Sequence, residues 1–126
     1  MSKILESGEM YLENILVLRA QQGYVRSIDI VNYTGYSKPS ISRAIGLLKK
    51  DGMLEVDGDG HITLTAEGER RAQKVYERHR TLTEFFGMIG VSDETASADA
   101  CKIEHDISDE TFEKIKEHVR RTKGDV

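Results

Sequence analysis

A single cysteine, Cys101, stands in the whole chain of 126 residues. It cannot form an intramolecular disulfide, so its thiol is a core group, a reactive group or a ligand. Long apolar runs are also missing. Stretches such as ILVL at 15 to 18 fall far short of the roughly 20 residues a membrane-spanning helix needs, which excludes such a span. The opening residues, MSKILESGEMYLE, hold no uninterrupted apolar segment followed by a cleavage site, and a cytoplasmic protein is expected. Neither internal repeats nor a low-complexity linker occurs, and the length suits one compact domain or two small ones sharing a core.

An excess of positive charge is absent: 18 lysines and arginines face 22 acids, a formal net charge of −4. A protein that coats nucleic acid through bulk charge is thereby disfavoured. Its distribution is uneven, however. Between Asp29 and Asp51 no acid occurs, while Lys38, Arg43, Lys49 and Lys50 lie inside that stretch. Acids gather at Glu6, Glu9 and Glu13 and again from Asp93 through Glu117. A basic surface on the first half and an acidic second half follow.

Apolar spacing predicts a first helix over 9–21, with Tyr11, Ile15 and Leu18 on one face and a glycine stop after it. A short second helix is predicted with Ser27 as N-cap and Gly35 at its end. The third opens at Ser37, carries Pro39 in its first turn and buries Ile41, Ile45 and Leu48. Two helices joined by a tight turn, the second opening with small polar residues and a lysine, are the pattern of a helix-turn-helix. Alternating segments around DGDG then predict a hairpin, which completes a winged helix-turn-helix. A long helix capped by Thr65 follows, interrupted at Gly87 and Gly90. Another, capped by Ser92, runs through CKIEHD, and a last one has Phe112, Ile115 and Val119 on one face. The fold expected is mainly α: a winged helix-turn-helix DNA-binding domain over 1–75, then an all-helical domain over 76–126.

Inside CKIEHD, Cys101, Glu104 and His105 stand at i, i+3 and i+4, so a helix projects all three from one face. They are potential metal ligands. Met10 and Glu13, three apart on the first helix, share a face in the same way, and His79 lies on the long helix in YERHR. Taken singly, each has an ordinary reading: Met10 and Cys101 as small core groups, Glu13 and His79 as solvated helix positions. His61 and His118 read as surface residues.

With these elements in this order, the chain resembles the DtxR/MntR family of metal-dependent transcriptional repressors. The matching stretches are EMYLENI, SKPSISRAI, LTAEGERRA, ERHR and CKIEHDISDE, which together cover about residues 8 to 120. The resemblance implies a primary metal site of Met10, Cys101, Glu104 and His105, and a possible second site using Glu13 and His79 with Glu104 as a bridge. The thioether and thiol are the pattern of the iron-responsive branch, whereas manganese-responsive members carry carboxylates there. Sulfur ligands disfavour Mn(II) relative to Fe(II), Co(II), Ni(II) or Zn(II). Iron-type ancillary positions hold Thr83 and Ser97 here, so the expected site is a hybrid: iron-type primary ligands and a manganese-type second position. The chain is expected to be a short form, without the SH3-like domain of long members.

A homodimeric repressor of metal-uptake genes follows as the expectation, with Fe(II) as the favoured metal, Mn(II) as the alternative, and a pseudo-palindromic double-stranded operator as its partner. Ser37, Lys38, Pro39, Ser40, Ser42 and Arg43 are the residues placed to meet that DNA. No catalytic residues are expected, because Cys101 and His105 lack the third orienting group a thiol enzyme needs. The competing reading is a winged-helix regulator that needs no metal and senses oxidation at Cys101.

Overall fold

Apolar residues recurring at helical spacing dominate the chain, and the computed structural model, which describes residues 6–124, folds six helices and one hairpin from them. Two compact units result, the first extending to Gln73 and the second starting at Lys74, with the division falling inside one helix.

In the first unit, α1 (Glu6–Gln22), α2 (Ser27–Thr34) and α3 (Lys38–Lys50) pack on one another. Leu12, Ile15, Ile30 and Ile41 are the most deeply buried of their side chains. Helix α2 starts one residue earlier than expected. Arg26, not Ser27, is the N-cap, because the Asp29 carboxylate accepts the Arg26 backbone N–H at 2.8 Å and draws Ser27 into the first turn. Gly35 ends α2 at φ +80°, a left-handed conformation that suits glycine. Ser37 caps α3 as expected, accepting the Ser40 N–H at 3.3 Å.

Strands β1 (Leu54–Val56) and β2 (Ile62–Leu64) form the expected antiparallel hairpin, with Leu54 opposite Leu64 and Val56 opposite Ile62. Its turn is locked by Asp57, whose Oδ1 accepts the backbone N–H groups of Asp59 and His61 at 2.8 and 2.9 Å. Those donors, that of His61 foremost, hold the Asp57 carboxyl below its ordinary pKa. Next comes α4 (Ala66–Met88). Thr65 caps it by accepting the Gly68 N–H at 3.1 Å while donating its hydroxyl to the Gly52 carbonyl at 2.6 Å. A bidentate pair joins α1 to the start of α4: Arg19 donates to both carboxylate oxygens of Glu69, at 2.6 and 2.8 Å.

The second unit holds the rest of α4, then α5 (Asp93–Ile103) and α6 (Asp109–Thr122). Gly87 does not interrupt α4; it lies in the last turn, and the chain breaks at Gly90, where φ reaches +101°. Ser92 and Ser108 cap α5 and α6. Helix α5 does not continue through His105. It stops at Ile103, with Glu104 as its C-cap. Phe112 and Val119 are buried on α6 and Ile115 is half-buried, as the spacing requires.

Candidate metal centre and DNA-facing helix

Helix α3 separates its faces sharply. Ile41, Ile45 and Leu48 are buried, while Ser37, Lys38, Pro39, Ser40, Ser42 and Arg43 are all exposed. No acid lies on this helix. The Ser37 hydroxyl donates to Ser40 Oγ at 2.9 Å, which fixes the first turn and leaves Lys38, Ser42 and Arg43 pointing to solvent. Such a polar, cationic helix face with small leading side chains is suited to a DNA groove and its phosphates.

The possible ligands fall on several elements. Met10 and Glu13 stand half-buried on α1 of the first unit, three residues apart as predicted. In the second unit, His79 comes from α4, Cys101 from α5, and Glu104 and His105 from the end of α5 and the turn after it. One ligand atom each of His79, Cys101 and Glu104 lie within 4.8 Å of one another. His79 Nδ1 is 2.8 Å from Glu104 Oε2, and His105 Nε2 is 3.5 Å from Glu104 Oε1. Stopping α5 at Ile103 modifies the one-face reading: Glu104 still follows Cys101 by helical backbone, but His105 reaches the carboxylate from the turn.

The electrostatics of this cluster are unusual for a protein interior. Glu104 is only 1% exposed, and its Oε1 has no hydrogen-bond donor among the described residues. The His105 ring lies 3.5 Å from it, too far for a good hydrogen bond, so the water that oxygen has lost is replaced only in part. Imidazole, thiol and carboxylate gathered around it form a donor set for a borderline divalent transition metal. A cation of that kind would supply that oxygen with a close partner, which the His105 ring at 3.5 Å is not, so the residues fit such an ion.

Two residues near His79 were singled out by the sequence as departures from a pattern, and both are accounted for. Thr83 donates its hydroxyl to the His79 carbonyl at 2.7 Å, within α4. Ser97 Oγ lies 3.4 Å from His79 Nε2. Sequence reasoning missed Arg78. Its guanidinium is buried and donates to the carbonyls of Glu104 and Ile107 at 3.1 and 2.7 Å. The signal was present, because Arg78 falls between Val75 and Leu82 on the buried stripe of α4.

Residues 3–62 match a family model described as the N-terminal DNA binding domain of the iron dependent repressor, and residues 65–125 match its metal binding and dimerisation domain. The chain belongs to the DtxR/MntR family of metal-dependent transcriptional repressors. It is 36% identical over 103 residues to the transcriptional regulator MntR of Escherichia coli O157:H7, covering 82% of this chain and 66% of that one. To the HTH-type transcriptional regulator MntR of Lysinibacillus sphaericus it is 33% identical over 114 residues, 90% of this chain and 82% of that one. Among solved structures, a manganese-dependent transcriptional repressor in complex with manganese superposes with a TM-score of 0.79 at 28% identity. The match covers 89% of this chain and 52% of that one, so this family member spans about half the length of that repressor.

Proposed function

We propose that this family member is a metal-responsive repressor that binds a pseudo-palindromic DNA operator as a homodimer in the cytoplasm, with Fe(II) as its activating metal. The observation that carries this reading is the buried Glu104 carboxylate, hydrogen-bonded to His79 on one oxygen and without a donor on the other. Met10, Cys101, Glu104 and His105 form the primary ligand set, and Glu13 with His79 the second. A bound divalent cation supplies positive charge and fixed coordination directions to these donors.

Each residue has a task in this reading. Cys101 gives up its thiol proton on ligation, so affinity falls as pH falls. His79 presents one ring nitrogen and keeps the other for a neighbour. Met10 and Glu13 are the candidate ligands carried by α1, and metal binding selects the DNA-competent state by population shift. On α3, Arg43 reaches a guanine edge, Lys38 and the serines hold phosphates, and Pro39 offers an apolar contact to a thymine methyl.

Fe(II) is preferred because thiolate and thioether donors suit it better than they suit Mn(II), which stands lowest in the divalent affinity order. A specific observation favours Mn(II) as a second reading: a repressor 28% identical to this chain is known in complex with manganese. Anaerobic equilibrium dialysis of the native chain and of Cys101→Ser against each metal separates the two. The expected result is Fe(II) retained more tightly than Mn(II) by the native protein, with the ratio falling roughly tenfold or more in Cys101→Ser as the donor hardens. Tighter Mn(II) binding by the native chain would establish the second reading, and retention of neither metal would remove both.

A further inference from the structure

One charged group in the second unit is not a ligand in the proposed site, yet it grips a ligand residue. Arg78 is 6% exposed, an uncommon place for a guanidinium without a specific purpose. Its Nη1 donates to the carbonyls of Glu104 and Ile107, and its Nη2 donates to Asp109. Its flat face lies over the Phe112 ring, with Cζ 5.3 Å from the ring centroid. The two carbonyls bracket the turn that carries Glu104 and His105, and Asp109 is the first residue of α6. One side chain thus holds the end of α5, the turn and the start of α6.

The adjacent residue on α4 completes the arrangement. Arg78 takes the backbone carbonyl of Glu104 at 3.1 Å, and His79 takes its carboxylate at 2.8 Å. Consecutive residues of one helix therefore hold Glu104 at both ends. We propose that Arg78 is a positioning residue for the metal site, fixing the Glu104–His105 turn in the conformation that presents both side chains to the ion. This rests on the metal-binding reading of the same cluster. Arginine is required for the geometry: its planar fork reaches two carbonyls and a carboxylate at once, whereas a lysine ammonium is a single point on a flexible stem. Asp109 anchors the fork from outside. Its side chain is exposed and also meets Lys74 at 3.4 Å, so neutralising it releases the fork without opening the core.

The test uses Co(II) as probe under anaerobic conditions, with the native chain, Arg78→Lys and Asp109→Asn. Affinity is measured by chelator competition, and ligand geometry by the visible d–d bands and the thiolate charge-transfer band. Arg78→Lys is expected to bind about 10- to 100-fold more weakly, as residues that orient metal ligands do, and to show shifted d–d bands. Asp109→Asn is expected to move both readouts in the same direction by less. It decides the matter alone if Arg78→Lys fails to fold. Native affinity and native bands in the folded variants would overturn the positioning role while leaving the metal site standing. Absence of Co(II) binding by the native chain would instead remove the metal-site reading and this role with it.

Discussion

His79 on α4 and Glu104 at the end of α5 meet with Nδ1 and Oε2 2.8 Å apart, and the second oxygen of that buried carboxylate has no donor among the described residues. In the proposed reading a cation takes this pair as ligands and gives the second oxygen a closer partner than the His105 ring at 3.5 Å. Glu104→Gln tests this at nearly constant volume. Co(II) is expected to raise the thermal midpoint of the native chain, since a ligand at a hundredfold excess over its Kd stabilises the folded state by about 2.7 kcal/mol. The variant is expected to lose that shift while its metal-free midpoint stays at or above the native one. Thermal melts followed by circular dichroism, with and without Co(II), read both quantities. Equal metal-induced shifts in the two proteins would remove Glu104 from the ligand set.

In the proposed DNA-binding reading, the two foremost cations on the exposed face of α3 have different work. Arg43→Ala is expected to weaken operator binding by about 1–3 kcal/mol and to relax the choice of base at one position. Lys38→Ala is expected to weaken binding about equally on all sequences and to reduce the salt slope by about one. Competition binding on operator and scrambled duplexes across a salt series distinguishes them. If both variants lose affinity equally on both duplexes, Arg43 is a phosphate contact only.

At Gly68 the backbone of α4 packs directly against the backbone of Met53. A Cβ built there would lie 1.8 Å from the Met53 carbonyl oxygen, and that carbonyl is itself held by the Thr65 N–H at 3.0 Å. Alanine ordinarily favours a helix over glycine by up to about 1 kcal/mol. Here the clash with backbone is expected to outweigh that gain, and Gly68→Ala to destabilise by about 1–3 kcal/mol in urea unfolding. Stabilisation of the variant would show that α4 can shift away from Met53 without loss.

Acid should weaken the junction of α1 with α4. Arg19, and then Gln73, hydrogen-bond to Glu69 and lower its carboxyl pKa from 4.5 to about 2. A lowered folded-state pKa means that the stabilisation is complete above the unfolded value near 4.5 and disappears as pH falls towards 2. Because both partners are over a third exposed, solvent and salt screen the pair, and its worth is about 0–1 kcal/mol. Glu69→Gln is expected to be less stable than the native chain at pH 6 and indistinguishable from it near pH 2. A difference that is constant across that range would assign the effect to packing rather than charge.

Helix α3 was readable because local rules decide it: Ser37 caps, Pro39 fits the first turn, and Ile41, Ile45 and Leu48 repeat at helical spacing. The hairpin was readable for the same reason, since Asp57 and the glycines after it determine the turn. The candidate ligands came from a resemblance together with their spacing, and the second unit brings His79, Cys101, Glu104 and His105 near one another. What the sequence did not convey was long-range. At the end of α5 the carbonyl of Glu104 is taken by Arg78, which reaches across from α4, 26 positions earlier in the chain. Arg26 displaced Ser27 as a cap because Asp29 closed the turn from inside the helix, a choice between neighbours that propensity alone ranks the other way.

The most direct test is DNA binding under metal control. A duplex selected from a random pool by the Fe(II)-loaded chain is labelled, and its affinity is measured by fluorescence anisotropy for apo-protein, for protein with Fe(II), and after chelation, all anaerobically. The expected result is at least about tenfold tighter binding with Fe(II), within the range usual for coupled sites, reversed by the chelator, with two chains per duplex. The same affinity in all three conditions would contradict metal control of this fold.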